Sequence, residues 1–212
     1  MPRTKEQYEA MRTATINKIH SAAIKLFAKK GFTATSVHDI AEGAGISIGL
    51  MYRHYKTKED LFNELVSYAA TGLEKIVEKF QSDESPVELI RQFTLEILND
   101  FEKDDAFAEL LMLMNQSSMI EDPSPQIQYL NEQSEAMLNQ TARLIEKGQN
   151  LGQFKQENAS EMAFYYFASL QGLAMIKITM RKRYITPSLK IVTEFLIGDN
   201  ISSNSICCQQ QL

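Results

Sequence analysis

The sequence predicts an all-α protein, on three observations. Apolar residues recur at helical rather than alternating spacing along most of the chain, and capping residues and prolines divide those stretches. Residues 36–62 read as two short helices joined by a glycine-containing turn, followed by the start of a third. About nine helices are predicted, with no β alternation and no internal repeat.

Taken in order, Ile16, Ile19, Ala23, Leu26 and Phe27 form the stripe of a first helix that ends at Gly31-Phe32. Ser36 and Asp39 make a capping pair for a second, carrying Val37, Ile40, Ala41 and Ala44 on one face. Gly45 permits the sharp turn, Ile46 plugs the angle, and Ser47 caps a helix from Ile48 to about Tyr55. Thr57 and Asp60 repeat the capping pair and start a long helix through Leu61, Leu65, Tyr68, Ile76 and Phe80. Ser85-Pro86-Val87-Glu88 combines an N-cap, a proline in the first turn and a capping glutamate, opening a helix that buries Leu89, Phe93, Ile97 and Phe101. Phe107, Leu110, Leu111 and Met114 form a shorter stripe. Ser124 caps the next helix with Pro125 in its first turn, and Ile127, Leu130, Met137, Leu138, Leu144 and Ile145 carry it to a stop at Gly148. Asn158 and Glu161 start a helix that runs to Met180, with Arg181, Lys182 and Arg183 at its negative end. Thr186-Pro187 opens a last helix through Leu189, Val192, Phe195 and Leu196, closed by Gly198, and residues 201–212 form a polar tail.

At 212 residues the chain has room for two domains. Its net charge of −5 is unevenly placed. Residues 1–60 hold ten Lys and Arg against six Asp and Glu, a net of +4, whereas residues 61–212 hold twelve against twenty-one, a net of −9. The basic part also holds all three histidines, His20, His38 and His54. A polyanion would therefore meet the first part and be repelled by the second. No apolar run approaches a membrane span and the N-terminus lacks a signal-peptide core, so a cytoplasmic location is expected. Cys207 and Cys208 are adjacent, which leaves neither a disulfide framework nor a metal site with ordinary ligand spacing. Neither a cofactor nor a metal is implied. Catalysis finds no support: there is no phosphate loop, and no histidine lies beyond residue 54 to serve as a base.

Residues 35–61 resemble the N-terminal signature of the tetracycline-repressor (TetR) family of bacterial regulators, a T-S-x-x-D-I-A turn, then A-G-[VI]-S, then [LM]-Y-x-H-[FY]-x-x-K-E-x-L. The chain carries Thr35, Ser36, Asp39, Ile40, Ala41, Ala44, Gly45, Ile46, Ser47, Met51, Tyr52, His54, Tyr55, Lys58, Glu59 and Leu61 in that order and spacing. The resemblance implies DNA contact by Ser36, His38, Ser47, Ile48, Gly49 and Leu50, with Tyr52, His54 and Lys58 on phosphates. Ile48 and Leu50 depart from the family, which commonly has polar side chains there. If exposed, they read thymine methyls, since neither forms hydrogen bonds. Met51 and Tyr55, one turn apart, supply the buried face of that helix together with Ile46.

The resemblance further implies a helix-turn-helix domain over 1–56, a helical effector-binding and dimerisation domain over 57–200, and a tail. Seven of the ten methionines lie in the later part, and adaptable apolar side chains suit a pocket for a small hydrophobic effector. Phe93, Phe107, Met112, Met114, Met137 and Tyr165 are candidates for its lining, although core packing explains the same residues. Ser169, Gly172, Leu173 and Ile176, with Val192 and Phe195, are candidates for a two-fold interface between copies, and intrachain packing explains those too. The function expected is a homodimeric, ligand-released repressor of transcription that binds an inverted-repeat operator. An all-helical carrier or enzyme that does not bind DNA is the competing reading.

Overall fold

A computed structural model of the chain describes residues 4–197, and these contain nine α-helices and one 3-10 turn. The tail, Gly198, Cys207 and Cys208 lie outside them. The helices are α1 (Lys5–Lys30), α2 (Val37–Gly43), α3 (Ile48–His54), α4 (Lys58–Phe80), α5 (Pro86–Lys103), α6 (Ala106–Ser117), α7 (Pro125–Asn150), α8 (Ala159–Met180) and α9 (Leu189–Thr193), with the 3-10 turn at Arg181–Arg183.

Two compact units result. Among the described residues, 4–69 form one together with Glu109–Leu130, and Ala70–Ala108 forms the other with 131–197. In the first, Ile19, Ala23, Phe27, Ile40, Met51, Leu61 and Leu65 are fully or almost fully buried, and Phe27, Phe32 and Phe62 stack at centroid distances of 4.6 to 5.6 Å. α6 closes this core on α1: Gln116 Nε2 donates to the Ala28 carbonyl at 3.2 Å, and Lys29 pairs with Glu109 at 3.5 Å. These units group residues by proximity and do not follow the division at residue 57. In the second unit Phe80, Leu89, Ile90, Ile97, Phe101, Leu144, Ile145 and Tyr166 make the core. Buried Tyr166 keeps its hydroxyl 2.5 Å from that of Thr94, which itself donates to the Ile90 carbonyl, so neither polar group is stranded.

The structure corrects several element-level expectations. Tyr68, one of the residues that mark α4, is 68% exposed. Ser85 gives no side-chain cap to α5; Gln153 Oε1 accepts from the Val87 amide at 3.1 Å and the Ser85 hydroxyl at 3.2 Å, while Glu88 turns to Arg91. α7 runs through Gly148 to Asn150, because that glycine serves packing: a Cβ there would stand 2.2 Å from the Phe154 ring. Gly152, with φ +69°, makes the turn instead. α9 has five residues, capped by Ser188, because after Thr193 the chain leaves the helix to pair with Phe154–Lys155, with the Lys155 amide donating to the Leu196 carbonyl at 2.9 Å.

Candidate nucleic-acid interface

Local sequence builds the site. Ser36 and Asp39 cap each other's backbone amides at the head of α2, at 3.0 and 3.1 Å, and those donors hold the Asp39 carboxyl below the usual carboxylate range. Gly45 takes φ +65°, a conformation open to glycine, and the Ile46 amide reaches back to the Ala41 carbonyl at 3.0 Å. Ser47 then caps α3, accepting from the Leu50 amide at 3.2 Å. Thr57 and Asp60 repeat the reciprocal cap before α4.

With both ends fixed, α3 buries Met51 completely and Tyr55 almost so, while Ile46 is half-buried. Its opposite side is open. Ile48 is 41% and Tyr52 53% exposed, Leu50 and His54 are half-buried, and Ser47, Gly49 and, on α2, His38 and Ser36 are exposed. A Cβ on Gly49 would meet nothing within 4 Å, so packing inside the chain does not require glycine there.

Lys58 has a part that its spacing does not reveal. Its Nζ donates to the carbonyls of Phe32 and Thr35 at 2.8 and 2.9 Å and lies 4.2 Å from the Phe32 ring centroid. Two of its three donors therefore hold the α1–α2 loop against the start of α4. The two loop carbonyls converge on that one ammonium group.

The pocket candidates are divided between the two units. Met112 and Met114 sit half-buried on α6 in the first unit, whereas the other four belong to the second. Phe93 packs edge-on against Phe80 at 5.4 Å, Phe107 leans on Phe101 at 6.0 Å, and Met137 is buried. Tyr165 is 61% exposed and meets Phe195 at 4.7 Å, so it stands on the outer side of α8. Of the interface candidates, Gly172 and Ile176 are exposed, Ser169, Leu173 and Phe195 are half-buried, and Val192 is buried within its own chain. Phe164, Met175 and Met180 extend the exposed apolar side of α8.

The sequence profile described as bacterial regulatory proteins, tetR family, matches residues 19–65, the segment whose geometry has just been given. Over those residues the chain is similar to the TetR family. Among curated relatives, the uncharacterized HTH-type transcriptional regulator YerO of Bacillus subtilis is 34% identical over 101 residues, covering 46% of this chain and 35% of its own length. ArpR of Pseudomonas putida is 25% identical over 179 residues, or 80% of this chain and 82% of ArpR. The repressor KstR2 of Mycobacterium tuberculosis is 48% identical over 44 residues, 21% of this chain and 22% of that one. A solved structure of KstR2, titled a ketosteroid transcriptional regulator, superposes with a TM-score of 0.65 at 18% identity over 87% of this chain and 95% of that one, and so shares its fold. The chain spans less than half the length of the first curated relatives it matches. Within this TetR-type head, Arg53 and Lys56 are exposed cations beside α3 that the motif reading passed over. Both fall on variable positions of the signature, where only their charge and place after the reading turn mark them.

Proposed function

We propose that the chain is a cytoplasmic, DNA-binding transcriptional regulator, a repressor that reads an inverted-repeat operator as a homodimer and is released by a small hydrophobic effector. The observation that carries this reading is the open side of α3. Ser47, Ile48, Gly49 and Leu50 begin a helix whose ends are capped and whose other face is buried, the presentation that base edges in a major groove require. His38 and Ser47 supply hydrogen-bonding groups beside the two apolar ones. Tyr52, His54, Arg53 and Lys56 supply phosphate contacts, with Ser36 at the head of α2 and the remaining donor of Lys58.

Dimerisation is assigned to α8. Phe164, Tyr165, Met175, Ile176 and Met180 are exposed along that helix, and exposed Gly172 lets a second helix approach. The effector is assigned to the later helical part, with Phe93, Phe107 and Met137 the retained candidates. It works only if it binds the DNA-incompetent arrangement better than the competent one. The reading supplies no catalytic step, and no helix among the described residues is long and apolar enough to cross a membrane. A gel shift with random duplex DNA at low and high salt tests it: binding should weaken steeply as salt rises, as phosphate contacts dictate. A carrier or enzyme would bind no duplex at either salt.

A further inference from the structure

Tyr55 closes α3, and its hydroxyl is the meeting point of three helices. It donates to Glu64 Oε1 on α4 at 2.9 Å and lies 2.7 Å from His20 Nε2 on α1, while His20 Nε2 and Glu64 Oε1 are themselves 3.2 Å apart. A hydroxyl has one proton. With that proton on the carboxylate side, Nε2 must carry its own hydrogen and donate to the phenol oxygen, which fixes the imidazole tautomer. Burial holds His20 below the usual histidine pKa despite the neighbouring carboxylate, and burial raises the Tyr55 phenol, so both shifts favour the uncharged forms. The ring of Tyr55 is 6% exposed. Phenylalanine would fill that space without a buried polar atom, and the family signature accepts either residue. A hydroxyl is tolerable here because both partners stand ready.

α3 has seven residues, too few to hold a direction unaided. At a rise of about 1.5 Å per residue, a tilt of about 10° at Tyr55 moves Ile48 by roughly 2 Å. That exceeds the ~0.5 Å range over which hydrogen bonds are good. We propose that the Tyr55 hydroxyl, held by Glu64 and His20, is a positioning group for sequence reading, setting the angle at which α3 presents Ser47–Leu50. The proposal rests on the DNA-reading function above.

Tyr55→Phe tests it cleanly, because it frees α3 while leaving the ring packed and His20 in contact with Glu64. Duplexes recovered from a random pool by the full-length protein serve as the specific probe, and a random duplex of equal length as the control. Y55F should lose about 3- to 10-fold affinity on the recovered duplex, the scale of one hydrogen bond, with unchanged binding and salt slope on the random one. E64A should lose as much, and the double variant no more than E64A alone. E64Q, whose amide oxygen still accepts from the hydroxyl, should keep most of the affinity. Wild-type binding by Y55F, equal losses on both duplexes, or E64Q as damaging as E64A would overturn the proposal. Should the wild type enrich no sequence, it is the DNA-reading function that fails, and amide exchange then decides the tie. Faster exchange over residues 48–55 in Y55F, with α1 and α4 unchanged, supports it, and unchanged exchange overturns it.

Discussion

Ile48 begins α3 with 41% of its surface exposed, an arrangement that folding alone disfavours, since burying such a side chain is worth about 2 kcal/mol. If Ile48 and Leu50 face a groove, the base feature they favour is the C5-methyl of thymine. Deoxyuridine scanning of the bound duplex should therefore reveal at least one thymine per half-site whose methyl is worth about 1 kcal/mol. Ile48→Ala or Leu50→Ala should abolish the difference at its own contact. Affinity indifferent to deoxyuridine everywhere would assign specificity to His38, Ser47 and DNA shape. Gly49 offers an independent check, because a methyl there meets open space within the chain. Gly49→Ala should raise thermal stability slightly, through the ~0.5–1 kcal/mol that alanine gains over glycine in a helix, and yet weaken binding to the recovered duplex. A stabilised variant with undiminished affinity would show that DNA does not come close to this backbone. The exposure of Ile48 was not legible from helical spacing, which sets it three residues before Met51 and seven before Tyr55 and so beside the buried face; its place at the open start of α3 decides it. Nor was the loop-holding part of Lys58 legible, because its acceptors lie 23 and 26 residues away and only packing brings them near.

Among the elements, α8 carries the most consequence. Its exposed side carries Phe164, Tyr165, Met175, Ile176 and Met180, the side proposed to meet a second copy. A Cβ on Gly172 meets nothing within 4 Å in its own chain, so Gly172→Trp should leave helix content intact, break the proposed dimer and weaken operator binding, which in that reading depends on two linked half-sites. Sedimentation of an intact mutant dimer would refute this placement of the interface. The same helix shows which features a sequence discloses. Its cap, Asn158 accepting from the Glu161 amide at 3.0 Å, was readable because it spans three residues, as were the caps of α2, α3 and α4. The cap of α5 was not, because Gln153 supplies it from 66 residues away. Nor was the early end of α9, which follows from backbone pairing with Lys155, or the part of Gly148, which only the Phe154 ring explains. The helical period placed Tyr165 without saying which side of α8 would be covered.

For the molecule as a whole, the charge is divided as the proposed labour is, +4 over residues 1–60 and −9 over the rest. In the proposed reading that asymmetry would let DNA meet the basic part while the acidic part stays off the polyanion. The all-helical architecture and the TetR-type head were legible from 27 contiguous residues and the caps that follow. The grouping of Glu109–Leu130 with the head was not, since it rests on contacts between α6 and α1 that no local pattern announces. The most direct test of the central claim, that two copies of α3 read DNA together, is selection by the full-length protein from a random duplex pool, followed by sequencing. The recovered duplexes should share an inverted repeat whose half-sites lie about one helical turn apart, roughly 34 Å, or a multiple of it. Recovery of no common sequence, or of a single unrepeated half-site, would contradict it.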